Sequence, residues 1–194
     1  MKEKRDMSKT QMTTGRCRLS YVSVFEPKLM PDGITEKYTV TLLIPKQDKK
    51  TLAKIAAAQK AAKEAFMAKK PGKKLSPNMP TTLHDGDGLK ENGEEFGAEC
   101  KGCMVMTVAS KTKPVIVYGD KTPMTEPTEM YSGCYGRAVI NFFVYDTAGK
   151  VGITAGLNGI MKLEDGEPLA GGIVTDSDWD DDYDDYSDID GMLD

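Results

Sequence analysis

Two cysteines, one histidine and a short acidic turn are the places where this sequence could do chemistry, and each falls short of a site. Cys100 and Cys103, in ECKGC, have the spacing of half a zinc site. A tetrahedral site needs two more ligands, and Cys17, Cys134 and His84 supply no second pair at the required spacing. A redox CxxC should open a helix after a strand, whereas this one precedes a strand-like segment. His84 is the single histidine, with no nucleophile beside it and no HExxH pattern. DGDG at 85–88 begins like a calcium loop. Its sixth position is Lys90 and its twelfth Phe96, where a glycine and a glutamate are needed, so it reads as a turn. No GxxxxGK[ST] phosphate loop occurs. The expectation is a protein without catalysis, metal or cofactor.

What remains is cationic charge interleaved with flat rings. Arg16, Arg18, Lys37, Lys111, Lys113, Arg137 and Lys150 sit on or beside strand-like segments that also carry Tyr21, Tyr118, Tyr131, Tyr135, Phe143 and Tyr145. A single nucleic-acid strand needs that combination: charge for phosphates, and rings on which bases stack for about 1–3 kcal/mol each. Tyr21 and Tyr118 are expected in the core. Tyr131, Tyr135, Phe143 and Tyr145 are then the stacking candidates. The many lysines between 49 and 74 read as a solvated helix face.

The elements that must position these residues are mostly strands. GRCRLSYVSVF (15–25) mixes β-branched and aromatic residues. KYTVTLLIP (37–45) alternates, with Tyr38, Val40, Leu42 and Ile44 on one face and Lys37, Thr39 and Thr41 on the other. The alanine-rich 48–70 carries Leu52, Ile55, Ala62 and Phe66 near helical spacing and predicts the one helix. Residues 75–102 are rich in proline, glycine and charge and read as loop. CMVMTVAS (103–110) and PVIVY (114–118) are further strands. GCYGRAVINFFVYD (133–146) is the longest strand signal; Ala138, Ile140, Phe142 and Val144 form a core face, and Arg137, Val139, Asn141, Phe143 and Tyr145 a mixed one. A turn at 147–149 leads into a glycine-interrupted last strand. Five or six short antiparallel strands with one inserted helix predict a mainly β fold, a small barrel.

Formal net charge is −4, yet its distribution is uneven. Residues 176–194 hold ten aspartates and no lysine or arginine, leaving 26 basic against 20 acidic side chains in residues 1–175. The body is basic and the tail opposes it. Trp179, Tyr183, Tyr186, Ile189, Met192 and Leu193 are threaded among those aspartates as candidate partner-binding residues. Such a segment buries too little apolar surface to fold and is expected to be a disordered acidic tail. No signal-peptide pattern or membrane-length apolar run is present, and four scattered cysteines suit a reducing cytosol. The expected layout is a flexible leader at 1–12, one domain at 13–175 and the tail at 176–194.

YSGCYGRAVINFFVYD, AGLNGIMKLEDGEPLAGG, GRCRLSYVSVFEPK and KYTVTLLIPK together resemble the single-stranded DNA-binding proteins of a phage family once filed as a domain of unknown function. The resemblance runs from about Thr13 to Thr175. It implies an OB-fold, sequence-nonspecific binding of single-stranded DNA without catalysis, and a role in phage replication, recombination or repair in the host bacterial cytoplasm. It also implies a disordered acidic tail. From the rings and aliphatics among its aspartates, that tail is expected to compete for the DNA groove and to recruit replication or recombination proteins; homo-oligomerisation is left open by the sequence. The contrasting reading is an acidic-tailed adaptor or chaperone-like factor that never meets DNA.

Overall fold

In the computed structural model the described residues are 8–169. They form eight strands and one α-helix: β1 (Gln11–Thr13), β2 (Cys17–Leu29), β3 (Glu36–Pro45), α1 (Lys49–Lys69), β4 (Leu83–Asp85), β5 (Cys103–Ser110), β6 (Val115–Tyr118), β7 (Tyr135–Thr147) and β8 (Lys150–Glu164). The expected strands and helix are all present. β8, with 15 residues, is the longest, not the segment at 133–146. β1 lies partly inside the stretch expected to be a leader and pairs with β7, and β4 interrupts the stretch expected to be loop.

The ring runs β7-β2-β3-β5-β8 and closes through β7 with β8. Closure brings the sheet back on itself and leaves β1 beside β7 and β6 beside β8 as outlying strands, the arrangement of an OB-fold barrel. The β7–β8 hairpin pairs along its whole length, from Tyr135 opposite Glu164 to Thr147 opposite Lys150. The seam between β5 and β8 is the opposite case: a single parallel bridge, Ala109 to Gly156. Residues 80–82 fill the gap beside it, where Thr82 N–H donates to the Ile153 carbonyl and Thr82 Oγ1 to the Thr107 carbonyl.

Alternation puts Val40, Leu42 and Ile44 of β3 and Ala138, Ile140 and Phe142 of β7 inside, with Leu19, Met106, Val108, Leu157 and Ile160. Ile55, Ala58 and Ala62 of α1 join this core, one face of the helix at helical spacing. Asp48 caps α1, accepting from the Thr51 N–H at 3.0 Å. Gly15 lies against that cap; an added Cβ would meet Asp48 Oδ2 at 2.3 Å. The polar face of β3 is also covered. Residues 86–102 fold back over it, where Leu43, Cys100 and Val105 make a second small cluster with Phe96, Cys103 and Leu169 packed on it.

Candidate nucleic-acid interface

The outer face of β2, β3 and β5 carries a groove walled on one side by that returning loop. Parity fixes its composition: with Leu19, Val40 and Leu42 facing inward, Ser20, Thr39 and Thr41 face outward, and Thr107 pairs with Thr41 across the ladder. Ser20, Thr39 and Thr41 are buried, and the Thr41 and Thr107 hydroxyls sit 2.9 Å apart. Tyr21, Lys28, Lys90, Phe96 and Glu99 line the same groove.

Tyr21 corrects the expectation that its ring is core: it is 67 % exposed. The cause is a bulge, because the β2–β3 register shifts between Ser20 and Ser23 and Tyr21 takes φ +47°. A bulge re-aims a side chain, and here the ring is turned outward over the groove. Tyr118, by contrast, packs partly buried against the core.

Cations mark both ends of this face. At one end Lys37 lies opposite Lys28. Lys113 Nζ sits 5.1 Å from the Phe25 ring on β2, and exposed Lys111 shares its loop. At the other end Arg18 pairs with both Leu43 and Tyr135. The Arg16 guanidinium carbon lies 3.9 Å from the Tyr135 ring centroid. The two ends are about 20 Å apart along β3, at about 3.4 Å per residue.

The Arg16 and Arg18 end is held by the segment after β8. Arg16 pairs with Glu164, Arg18 Nη2 donates to the Glu167 carbonyl at 2.6 Å, and Leu169 N–H donates to the Ser132 carbonyl at 2.9 Å. The Tyr131 hydroxyl lies within hydrogen-bond distance of Asp165 and Gly166, and its ring packs against the core. Gly133, at φ +119°, admits this segment; a Cβ there would stand 2.2 Å from the Glu167 oxygen. Lys162 is buried beneath, between Glu129 at 3.0 Å and Asp165 at 2.7 Å.

The other expected residues lie elsewhere. Arg137 Nε donates to the Thr14 carbonyl at 2.9 Å and lines an apolar groove with Val115, Val117, Val139 and Met161 on the outside of β6, β7 and β8. Phe143, 46 % exposed, sits beside Phe66 and Lys69 of α1. Tyr145 lies over Gly152, and Lys150 is exposed at the hairpin turn. Lys70 and Lys73 both pair with Asp146 there, holding its carboxyl below the usual range. From Tyr135 to Tyr145 is about 34 Å of strand. The expected residues are therefore divided between these surfaces, and the β2–β3–β5 groove also carries Tyr21, Lys28, Lys90, Phe96 and the outward hydroxyls, which were not among them. The polar face of β3 was the available signal for the hydroxyls.

Burial raises the pKa of all four thiols, Cys17 to about 12, which suppresses the thiolate that redox or nucleophilic chemistry needs. Among the described residues no three His, Cys, Asp or Glu side chains gather as metal ligands. The DGDG turn is fastened by Lys46, 2.5 Å from Asp85 and 2.6 Å from Asp87. Among the described residues no helix is long and apolar enough to cross a membrane. Trp179, Tyr183, Tyr186, Ile189, Met192 and Leu193 lie outside the described residues.

Comparison with known proteins supplies the remaining context. The single-stranded DNA-binding protein of bacteriophage Enc34, solved in complex with single-stranded DNA, is 26% identical and superposes with a TM-score of 0.68, over 83% of this chain and 90% of that one. The gp2.5 single-stranded DNA-binding protein encoded by bacteriophage T7 shares the fold at 15% identity, with a TM-score of 0.58 over 86% of this chain and 98% of that one. Protein p50 of the Acyrthosiphon pisum secondary endosymbiont phage 1 is 29% identical over 164 residues, 81% of this chain and 85% of its own length. Residues 10–190 match the family described as the Enterobacter phage Enc34 ssDNA-binding protein, and with that extent matched, the chain belongs to this family.

Proposed function

We propose that the protein binds single-stranded DNA without sequence preference, as a non-enzymatic factor in phage replication, recombination or repair. The observation that carries the reading is the outer face of β2, β3 and β5, where hydroxyls and two rings lie between cationic ends. Bound strand runs along this face. Lys28, Lys37, Lys111 and Lys113 neutralise phosphates at one end and Arg16 and Arg18 at the other, while Tyr21, Phe96 and Tyr135 stack bases. Arg137, with Phe143, Tyr145 and Lys150, serves strand that continues around the barrel.

Residues 176–194 act as a tethered competitor for this face. Their aspartates imitate phosphates and Trp179, Tyr183 and Tyr186 imitate bases. DNA displaces the tail and frees Ile189, Met192 and Leu193 for a replication or recombination partner. The binding unit is residues 13–175, with β1 adding Gln11 and Met12 at its start.

The test is fluorescence anisotropy with labelled oligo-dT and a duplex of equal length across a salt series. Oligo-dT should bind more tightly, and log K should fall with log salt by about 0.7 per phosphate contact, a slope near −4 for about six contacts. Equal affinity for duplex, or no salt dependence, would favour the adaptor reading instead.

A further inference from the structure

The groove on the outer face contains a buried hydroxyl that the fold does not use. Thr39 is 1 % exposed and lines the groove, yet its Oγ1 has no hydrogen-bond partner among the described residues. A buried, unpaired hydroxyl costs about 1–3 kcal/mol, so a valine of nearly the same shape would serve the fold better. Its neighbours do not relieve it. Thr41 and Thr107 bond each other at 2.9 Å, which uses one of their two hydroxyl protons and leaves the other to spare. The cavity here is about 290 Å³. That is several times the ~30 Å³ share of a liquid water, but Thr39 Oγ1 is closed off from the groove, so a ligand reaches the hydroxyl only when the side chains over it part.

We propose that this cavity is a subsite for one unstacked nucleobase, which enters between Tyr21 and Phe96 and places its polar edge on the Thr39 hydroxyl and the Thr41–Thr107 pair. This rests on the reading that the β2–β3–β5 face holds single-stranded DNA. The Watson–Crick edge of every nucleobase sets donors beside acceptors, in an order that differs from base to base. An arginine or a carboxylate has a fixed role and would select one order. A hydroxyl both donates and accepts, and it rotates to suit. Hydroxyls therefore contact bases directly while tolerating all of them, and the subsite adds hydrogen bonding to a binding mode otherwise built from charge and stacking. Tyr21 fits this role: the bulge that turns its ring outward makes one wall, and the loop carrying Phe96 supplies another.

The test uses the full chain, oligo-dT, and an oligonucleotide of the same length with every base replaced by an abasic residue. Thr39→Val keeps the shape and deletes the hydroxyl. It should weaken oligo-dT binding about three- to tenfold, leave abasic binding unchanged, and leave Tm unchanged or raised. Thr39→Ser, which retains the hydroxyl, should bind oligo-dT close to wild type. Thr39→Val binding oligo-dT as wild type does would overturn the subsite, and a trapped water would give that result. Equal weakening toward both oligonucleotides would overturn it too, because the hydroxyl would then only shape the groove. Should wild type fail to bind oligo-dT at all, the reading beneath is what fails, and the subsite falls with it.

Discussion

At the scale of single residues, Tyr21 is the position where the proposed binding role is most cleanly tested apart from folding. Its ring is exposed and its backbone is in the left-handed region, a conformation that costs a non-glycine residue about 1–3 kcal/mol. Strain of that size persists only where the surroundings impose it, and here the register shift in β2 does so. Tyr21→Ala should lose about 1–3 kcal/mol of oligo-dT affinity with no change in salt slope, since a ring and not a charge has been removed. Titrations at two salt concentrations check both parts, and a denaturation curve matching wild type shows that the ring does not hold the fold. Arg16 and Arg18 differ in kind: each already has a partner, Glu164 for one and the Glu167 carbonyl for the other. A phosphate there must exchange with an existing contact, so the net gain is smaller than for a free cation.

At the scale of elements, α1 depends on its cap. The Asp48 pKa lies below its ordinary 3.8, chiefly through the Thr51 side chain and then the Thr51 N–H. A depressed folded pKa means stability that is present above 3.8 and lost as pH falls through the folded value. Asp48→Ala should cost about 0.5–2 kcal/mol near neutral pH, and the gap from wild type should narrow in urea denaturation below the ordinary aspartate pKa. Much of this level was legible in the sequence. Leu52, Ile55, Ala62 and Phe66 announced the helix, and alternation in 37–45 announced β3 and its two faces. The site was less legible, for a physical reason. Tyr21 sits in a run whose alternation assigns it by parity, and a bulge, invisible to parity, reverses the assignment. Phe96 and Lys90 reach the groove only because residues 86–102 fold back over β3, a long-range contact that local pattern does not encode. Tyr135 and Tyr145 share a strand that curves around the barrel, so sequence neighbours on one face end at different surfaces.

At the scale of the whole molecule, charge is divided between the body and residues 176–194, and the competitor model turns that division into a prediction about salt. Removing residues 176–194 should tighten oligo-dT binding, most clearly at low salt where attraction between tail and groove is least screened. Replacing Trp179, Tyr183 and Tyr186 by serine with every aspartate kept should recover part of that gain. Anisotropy titrations of the three proteins decide this, and unchanged affinity after truncation would remove the competitor model. The seam between β5 and β8 has a different consequence. A barrel whose β7–β8 side is laced along its length, and whose β5 and β8 meet directly at one bridge with residues 80–85 spliced into the rest of the seam, is a clasp whose catch is a separate short segment. Regions with few contacts open at a lower free energy than the whole. β5, which carries Thr107 at the border of the groove, stands at the catch. An excursion there would part β5 from β8 and leave the β3–β5 ladder, paired at eight positions, intact, so the compliance lies beside the groove and not across it.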